Sequence, residues 1–319
     1  MTQHRKHTVQ RTFILGDSWL YFKLYTGHKT ADYVIANSLF PLTENLLKQG
    51  LIEKWFFIRY HDETGPHLRF RMEMTEPQRQ LGKVLLASNN AFKPMIEANW
   101  IWKIQTDTYQ RELERYGTLT MLPAESLFFQ NSHMMARLIG SFQDDMDEVA
   151  RWLFALPAID QLLDAFGTSL EYRHHLMDIV RNNFAQEFGM DVRLRDQLED
   201  KFKKEQDKVF AALSGEGLES PVLQRLAPML ALLKQYDKGM KETASEILEL
   251  RKRAPQQESL NNLLASYIHM LMNRLFKSKQ RVHEMVIYDF ITRYYKSLLE
   301  AEKRKNTMVE AEAEKLLTE

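Results

Sequence analysis

The chain contains no cysteine. That excludes disulfides, thiol nucleophiles and thiolate metal sites, and fits a reducing compartment. It has no excess of either charge: 43 Lys and Arg balance 43 Asp and Glu over 319 residues, with His neutral. Nothing global therefore draws it to nucleic acid or to an anionic membrane, and any anion recognition must be local. No segment approaches the roughly 20 apolar residues of a membrane span. The basic opening MTQHRKHTVQRT is not followed by the apolar run of a secretory signal. The expected location is cytoplasmic. What remains is an ordinary globular composition, 44% hydrophobic and 27% charged, in a chain long enough for one large domain or two modest ones.

The first third alternates strand-like and helix-like runs. Ser18–Tyr25, Lys54–Tyr60, His67–Met74 and Trp100–Asp107 read as strands, and Ala31–Lys48 and Pro77–Met95 carry apolar residues at helical spacing. The Gly/Pro turn Asp62–Pro66 joins two of the strands. This βαββαβ order predicts a ferredoxin-like sheet with helices on one face. From Thr108 onwards the pattern turns helical, with Ser214–Pro221 as an internal linker and a charge-dense stretch from Glu300 to the end. The expected class is α+β. Residues 1–118 would form the sheet domain, and residues 119–319 a larger helical domain ending in a charged tail.

Three groups of residues invite a chemical reading. Alternation along His67–Met74 sets His67, Arg69, Arg71 and Glu73 opposite Leu68, Phe70, Met72 and Met74. In a hairpin, Arg59 of the preceding strand is expected to join Arg69 and Arg71, an unfavourable cluster unless an anion or carboxylates sit among them. A solvated strand face paired with surface acids fits the same spacing. In TYQRELERYG, following Tyr109, a helix would put Arg111 and Arg115 on one face with Glu112 able to pair with Arg115. Ordinary surface ion pairs account for that pattern too. In YIHMLMNRLF, His269 and Asn273 are spaced i, i+4 within an apolar helix, where Asn273 or Arg274 would be a hydrogen-bond partner for a core histidine. His174, His175 and Asp178 lack the further clustered ligands of a metal site, so neither metal nor cofactor is expected. The basic patches Arg251–Arg253 and Lys277–Arg281 read as solvated faces, not as tRNA contacts.

In order along the chain, SWLYFKLYTG, WFFIRYHDETGPHLRFRM, DTYQRELERYG with AESLFFQNS, and SYIHMLMNRLF resemble the carboxy-terminal elimination domain of lantibiotic dehydratases. That domain also occurs as thiopeptide-type bacteriocin biosynthesis proteins. The resemblance implies a lyase of RiPP biosynthesis that expels glutamate from glutamylated Ser/Thr of a precursor peptide, leaving dehydroalanine or dehydrobutyrine. It implies Arg69, Arg71, Arg115, His269 and Glu112 as catalytic residues. Arg59, His67, Tyr109, Arg111, Asn273 and Arg274 are expected to contact substrate. A separate tRNA-dependent glutamylation subunit is the implied partner of a split enzyme, and the apolar helices leave a homodimer open. Two departures stand out: Thr118 replaces a second glycine after ERYG, and Asn131-Ser132 replaces an Asp-Ser pair. The alternatives are a pyridine synthase joining two dehydroalanines by [4+2] cycloaddition, and a non-catalytic peptide-binding subunit.

Overall fold

In a computed structural model, the described residues are 9–142, 146–217, 219–253 and 258–318. They divide into two compact units. One comprises the chain up to Asp147 together with Ala231–Gln280, and the other Glu148–Leu230 together with Arg281–Glu319. The helix carrying His269 thus belongs to the same unit as the sheet.

The first unit is built on strands β1 (Thr12–Phe13), β2 (Trp19–Tyr25), β3 (Ile52–Asp62), β4 (Gly65–Met74), β5 (Lys103–Thr106) and β6 (Tyr109–Gln110). Four of them form an antiparallel sheet in the order β3-β4-β2-β5, the ferredoxin-like arrangement expected from the βαββαβ order. Helices α1 (Ala31–Val34) and α2 (Phe40–Lys48) are joined by a π turn at Ile35–Leu39, making one rod of the predicted helix. Helix α3 (Pro77–Glu97) supplies the second crossover. Its Phe92 packs edge-on against Phe22 and Phe70, on the sheet face formed by Leu20, Phe22, Leu24, Leu68, Phe70 and Met72. These side chains are essentially fully buried, and their removal from water is the main stabilising term of the layer.

The other face is different in kind. Cross-strand register places Tyr21, Arg71 and Phe56 in one row, and Lys23, Arg69 and Ile58 in the next. Strands β1 and β6 pair as a separate ribbon, bringing Tyr109 against Trp19 and Phe56. Helix α4 (Leu113–Tyr116) is a single turn, ended by Gly117 at φ +78°, and Thr118 lies in the turn that follows. Helix α5 (Met121–Gly140) follows directly.

An open sheet edge leaves backbone donors and acceptors without partners. At β3 that edge is closed by side chains. Ser132 of α5 accepts from the Phe57 amide at 3.2 Å, and Asn273 bonds both the N–H and the C=O of Arg59 at 2.8 and 2.9 Å. Ser132 also accepts from Arg274 Nε at 2.8 Å and is fully buried. Ser132→Ala is expected to cost about 1–3 kcal/mol, because two buried donors lose their acceptor. Chemical denaturation of the variant measures it.

The second unit is helical. Helices α6 (Met146–Ala165), α7 (Leu170–Glu187) and α8 (Val192–Ser214) are followed by α9 (Pro221–Lys252), inside which the unit boundary falls. After α10 (Leu260–Leu275), α11 (Gln280–Thr318) runs unbroken. Within this unit Arg173 pairs with Asp160 and Asp164, and the Tyr295 hydroxyl donates to Asp160. Among the described residues no helix is long and apolar enough to cross a membrane, and no group of three or more acidic or His side chains is placed to hold a metal ion.

Candidate functional site: a guanidinium-lined pocket

The cross-strand rows on the polar face of the sheet determine where the arginines go. Arg71 lies between Tyr21 and Phe56 in register, and β6 adds Tyr109. Its guanidinium sits 4.3, 5.2 and 4.9 Å from the three ring centroids. The rings hold the cation by their negative faces, yet rings do not accept the N–H bonds that a carboxylate or water would. Arg71 Nε is buried without a hydrogen-bond partner. Arg69, two residues away on the same face, stacks on Tyr60 at 3.4 Å, and its Nε is likewise buried and unbonded. Burial pushes the Arg71 guanidinium below its ordinary pKa, opposed by the nearby Tyr21 and Tyr109.

A third cation comes from α10. Arg274 is 1% exposed, donating to Ser132 and to the Met270 carbonyl, with Phe128 at 5.5 Å. Burial lowers its pKa to about 10, which still leaves it charged at neutral pH. Arg69, Arg71 and Arg274 line one pocket of about 70 Å³, with Tyr109, Gln110, Glu112 and Tyr116 completing the polar part. A single water needs about 10–15 Å³, so a carboxylate group with a few waters fits. Among the described residues no carboxylate forms an ion pair with any of these three arginines. The one acid in the lining, Glu112, pairs at 3.1 Å with Arg115. Holding three desolvated cations together costs several kcal/mol unless an anion joins them.

Arg115 is half exposed and lies beside the Tyr116 hydroxyl, outside the pocket lining. Burial raises the Tyr116 pKa to about 12. His269 is outside the lining as well, next in sequence to the lining residue Met270. Its Nδ1 faces the Gln280 amide at 3.3 Å, so Gln280 occupies the place expected of Asn273 or Arg274. Asn273 is instead committed to the β3 edge and to Gln280.

Two geometric expectations are corrected. Arg59 does not join Arg69 and Arg71: it pairs in register with Leu68, on the opposite face of the sheet, where it binds Asp32 and the Arg274 carbonyl. Nor do Arg111 and Arg115 share a helix face, because Arg111 precedes α4 and is buried. Arg111 forks onto Glu125 of α5 at 2.7 and 2.6 Å, and Tyr109 donates to the same carboxylate at 2.7 Å. Arg111 thus has a partner that anchors the ribbon. Tyr21, Phe56, Tyr116 and Phe128 surround the cations without having been singled out from sequence. For Tyr21, the alternation Trp19, Tyr21, Lys23 carried the signal.

The family described as Lantibiotic biosynthesis dehydratase C-term matches residues 19–295. The chain belongs to this family. The chain of this lantibiotic dehydratase C-terminal protein is 23% identical over 274 residues to the subtilin biosynthesis protein SpaB of Bacillus subtilis, covering 85% of this chain but only 25% of SpaB. Its fold is similar to that of the tRNA-dependent lantibiotic dehydratase MibB from Microbispora sp. 107891, with TM-score 0.66, 19% identity and coverage of 91% of this chain and 29% of MibB. It is also similar in fold to TbtD, the pyridine synthase of thiomuracin biosynthesis, with TM-score 0.53, 15% identity and coverage of 88% and 99%.

His67 is expected to make the stability of this chain depend on pH. It is 2% exposed, its Nδ1 lies 3.1 Å from the Gly65 carbonyl, and its Nε2 is buried without a partner. Burial lowers its pKa from 6.5, and Asp62 at 3.8 Å only partly opposes this. Below pH 6.5 the unfolded chain binds the proton more readily than the folded one, so this contribution is present above 6.5 and lost as pH falls. Denaturant titrations between pH 7 and pH 5 should show stability falling, and His67→Gln should flatten that part of the profile.

Proposed function

We propose that this chain removes glutamate from glutamylated Ser or Thr residues of a precursor peptide, giving dehydroalanine or dehydrobutyrine. The observation that carries the reading is the pocket of Arg69, Arg71 and Arg274, three buried or half-buried cations with no ion-paired carboxylate among the described residues. A glutamyl ester brings one carboxylate as its α-acid and releases a second as the leaving group. Guanidinium forks fit both.

β-Elimination removes the Cα proton, places negative charge on the adjacent amide oxygen and breaks the Cβ–O bond to a carboxylate. In this reading Arg69 and Arg71 clamp the glutamyl group and stabilise the departing carboxylate. Fixed charge at such a point is worth about 3 kcal/mol or more per donor. Arg115, held by Glu112, polarises a substrate carbonyl. His269 offers a ring N–H to the departing carboxylate, and the Cα proton leaves to solvent with the released glutamate. Glutamylation itself belongs to a separate tRNA-dependent part, and no cofactor enters the reaction.

A second reading, [4+2] cycloaddition between two dehydroalanines, has the fold likeness to TbtD behind it. Supplying the two substrates side by side separates them. The glutamylated peptide should lose glutamate, while a peptide already carrying dehydroalanines should stay unchanged. Ring formation with release of a leader segment from the second peptide would reverse the order of the two readings.

A further inference from the structure

His269 sits at the end of a hydrogen-bond chain whose polarity is fixed by backbone atoms. It starts at Arg59 in the edge strand. The Arg59 N–H can only donate and its C=O can only accept, so Asn273 must present Oδ1 to the first, at 2.8 Å, and Nδ2 to the second, at 2.9 Å. The second proton of Asn273 Nδ2 goes to Gln280 Oε1 at 2.9 Å. That orients the next amide. Gln280 Nε2 is therefore turned towards His269, 3.3 Å from Nδ1 and 3.3 Å from the His269 carbonyl. An amide nitrogen has protons to give and no lone pair to offer. His269 Nδ1 must then be the acceptor, and the single proton of the neutral ring must lie on Nε2.

Amide orientation is usually assigned from the surrounding network and not seen directly. Here one end of the network cannot be reversed without leaving an edge-strand N–H facing an NH2 group. A flip of Gln280 alone would set its Nε2 against Asn273 Nδ2, two donors face to face. Both costs are those of half-buried donors without acceptors, up to about 1–3 kcal/mol each.

We propose that Asn273 and Gln280 are positioning residues, which hold neutral His269 as the Nε2–H tautomer, so that Nε2–H is the donor offered to the departing glutamate carboxylate as the Cβ–O bond breaks. Neither residue need touch the substrate. Which nitrogen carries the proton is set by the hydrogen bond the other one makes, and a neutral imidazole fixed as an N–H donor stabilises developing negative charge without giving up its proton. A ring held in the other tautomer would present a lone pair to that charge. The inference rests on the reading of His269 as a group at the leaving carboxylate, but its structural half stands apart from turnover.

The test uses the full chain labelled with ¹⁵N-histidine, without peptide. Long-range ¹H–¹⁵N spectra report the tautomer of each ring, and the His269 signals are the ones missing in His269→Gln. The wild-type chain at a pH where the ring is neutral should show protonated Nε2 and bare Nδ1. Gln280→Glu replaces the donor by a carboxylate that accepts from both Asn273 and the ring, so the proton should move to Nδ1. Gln280→Met removes the polarity with little change in volume, so both tautomers should be populated. If Gln280→Glu does not fold, Gln280→Met carries the test alone. A wild-type ring protonated at Nδ1, or a tautomer unchanged in a folded variant, would overturn the relay.

In the elimination assay Gln280→Glu should lower kcat about 100-fold with KM within about twofold, as expected when one preorganised donor to the developing charge is lost. Full activity of Gln280→Glu with a switched tautomer would overturn the positioning role. Normal turnover by His269→Ala, beside a wild-type Nε2–H spectrum, would instead remove the reading of His269 as that donor and leave the relay standing.

Discussion

Arg71→Ala is expected to lower elimination from a glutamylated peptide by about 10²–10³-fold, the range found when one preorganised charge donor is removed. The glutamylated adduct should accumulate unchanged. Arg71 is 8% exposed and held among Tyr21, Phe56 and Tyr109, with a buried Nε that no protein group accepts from. It forms no ion pair among the described residues, so its loss strands no buried carboxylate. Arg71→Ala should still fold, at a cost of about 2–4 kcal/mol for the cavity and the lost ring contacts, a stability change too small to empty the folded state. Arg71→Lys should not restore activity, because an ammonium neither forks onto a carboxylate nor stacks between rings as a planar guanidinium does. Rates by quenched-flow mass spectrometry, beside the unfolding curves, separate a catalytic loss from a structural one.

Arg111→Ala is expected to act in the opposite sense, on stability first. It strips the partner from Glu125, which is fully buried and bonded to Arg111 through both oxygens. Removing one side of such a pair costs about 3–5 kcal/mol because an uncompensated charge is left in the interior. That corresponds to a fall of roughly 10 °C in Tm. Glu125→Ala should be comparable. The triple change Arg111→Met, Glu125→Leu and Tyr109→Phe should recover most of the loss, since an apolar replacement of a whole buried network is often neutral. If Arg111→Ala abolished turnover at full stability, Arg111 would belong to the catalytic set.

The sheet was legible because its strands announce themselves. SWLYFKLY and HLRFRMEM alternate cleanly, and the helical runs between them are long enough to demand crossovers. Register was not legible. The turn pairs Asp62 with Gly65, so Arg59 falls opposite Leu68 and points away from Arg69 and Arg71. A slip of one residue exchanges the two faces of a strand, and the DETGP turn alone does not fix the slip. The helical period through TYQRELERYG was overruled by a distant partner: Thr12–Phe13 captures Tyr109–Gln110 as a ribbon, leaving Arg111 outside α4. Such long-range pairing leaves no local signal. Gln280 carried none either. Its importance comes only from the first residue of α11 reaching back beside α10 to His269 and Asn273.

The pocket itself was half visible. Arg69 and Arg71 share a face by simple alternation, but Arg274 joins them only through the packing of α10 on β3 and α5, with Ser132 as the pin. Elimination at these buried arginines is tested most directly by a single-turnover experiment with glutamylated precursor peptide and excess chain, following free glutamate and alkene together. One glutamate released for each dehydroamino acid formed, and neither product with Arg71→Ala, is the predicted result. An adduct left intact by the wild-type chain with its cognate peptide would contradict it.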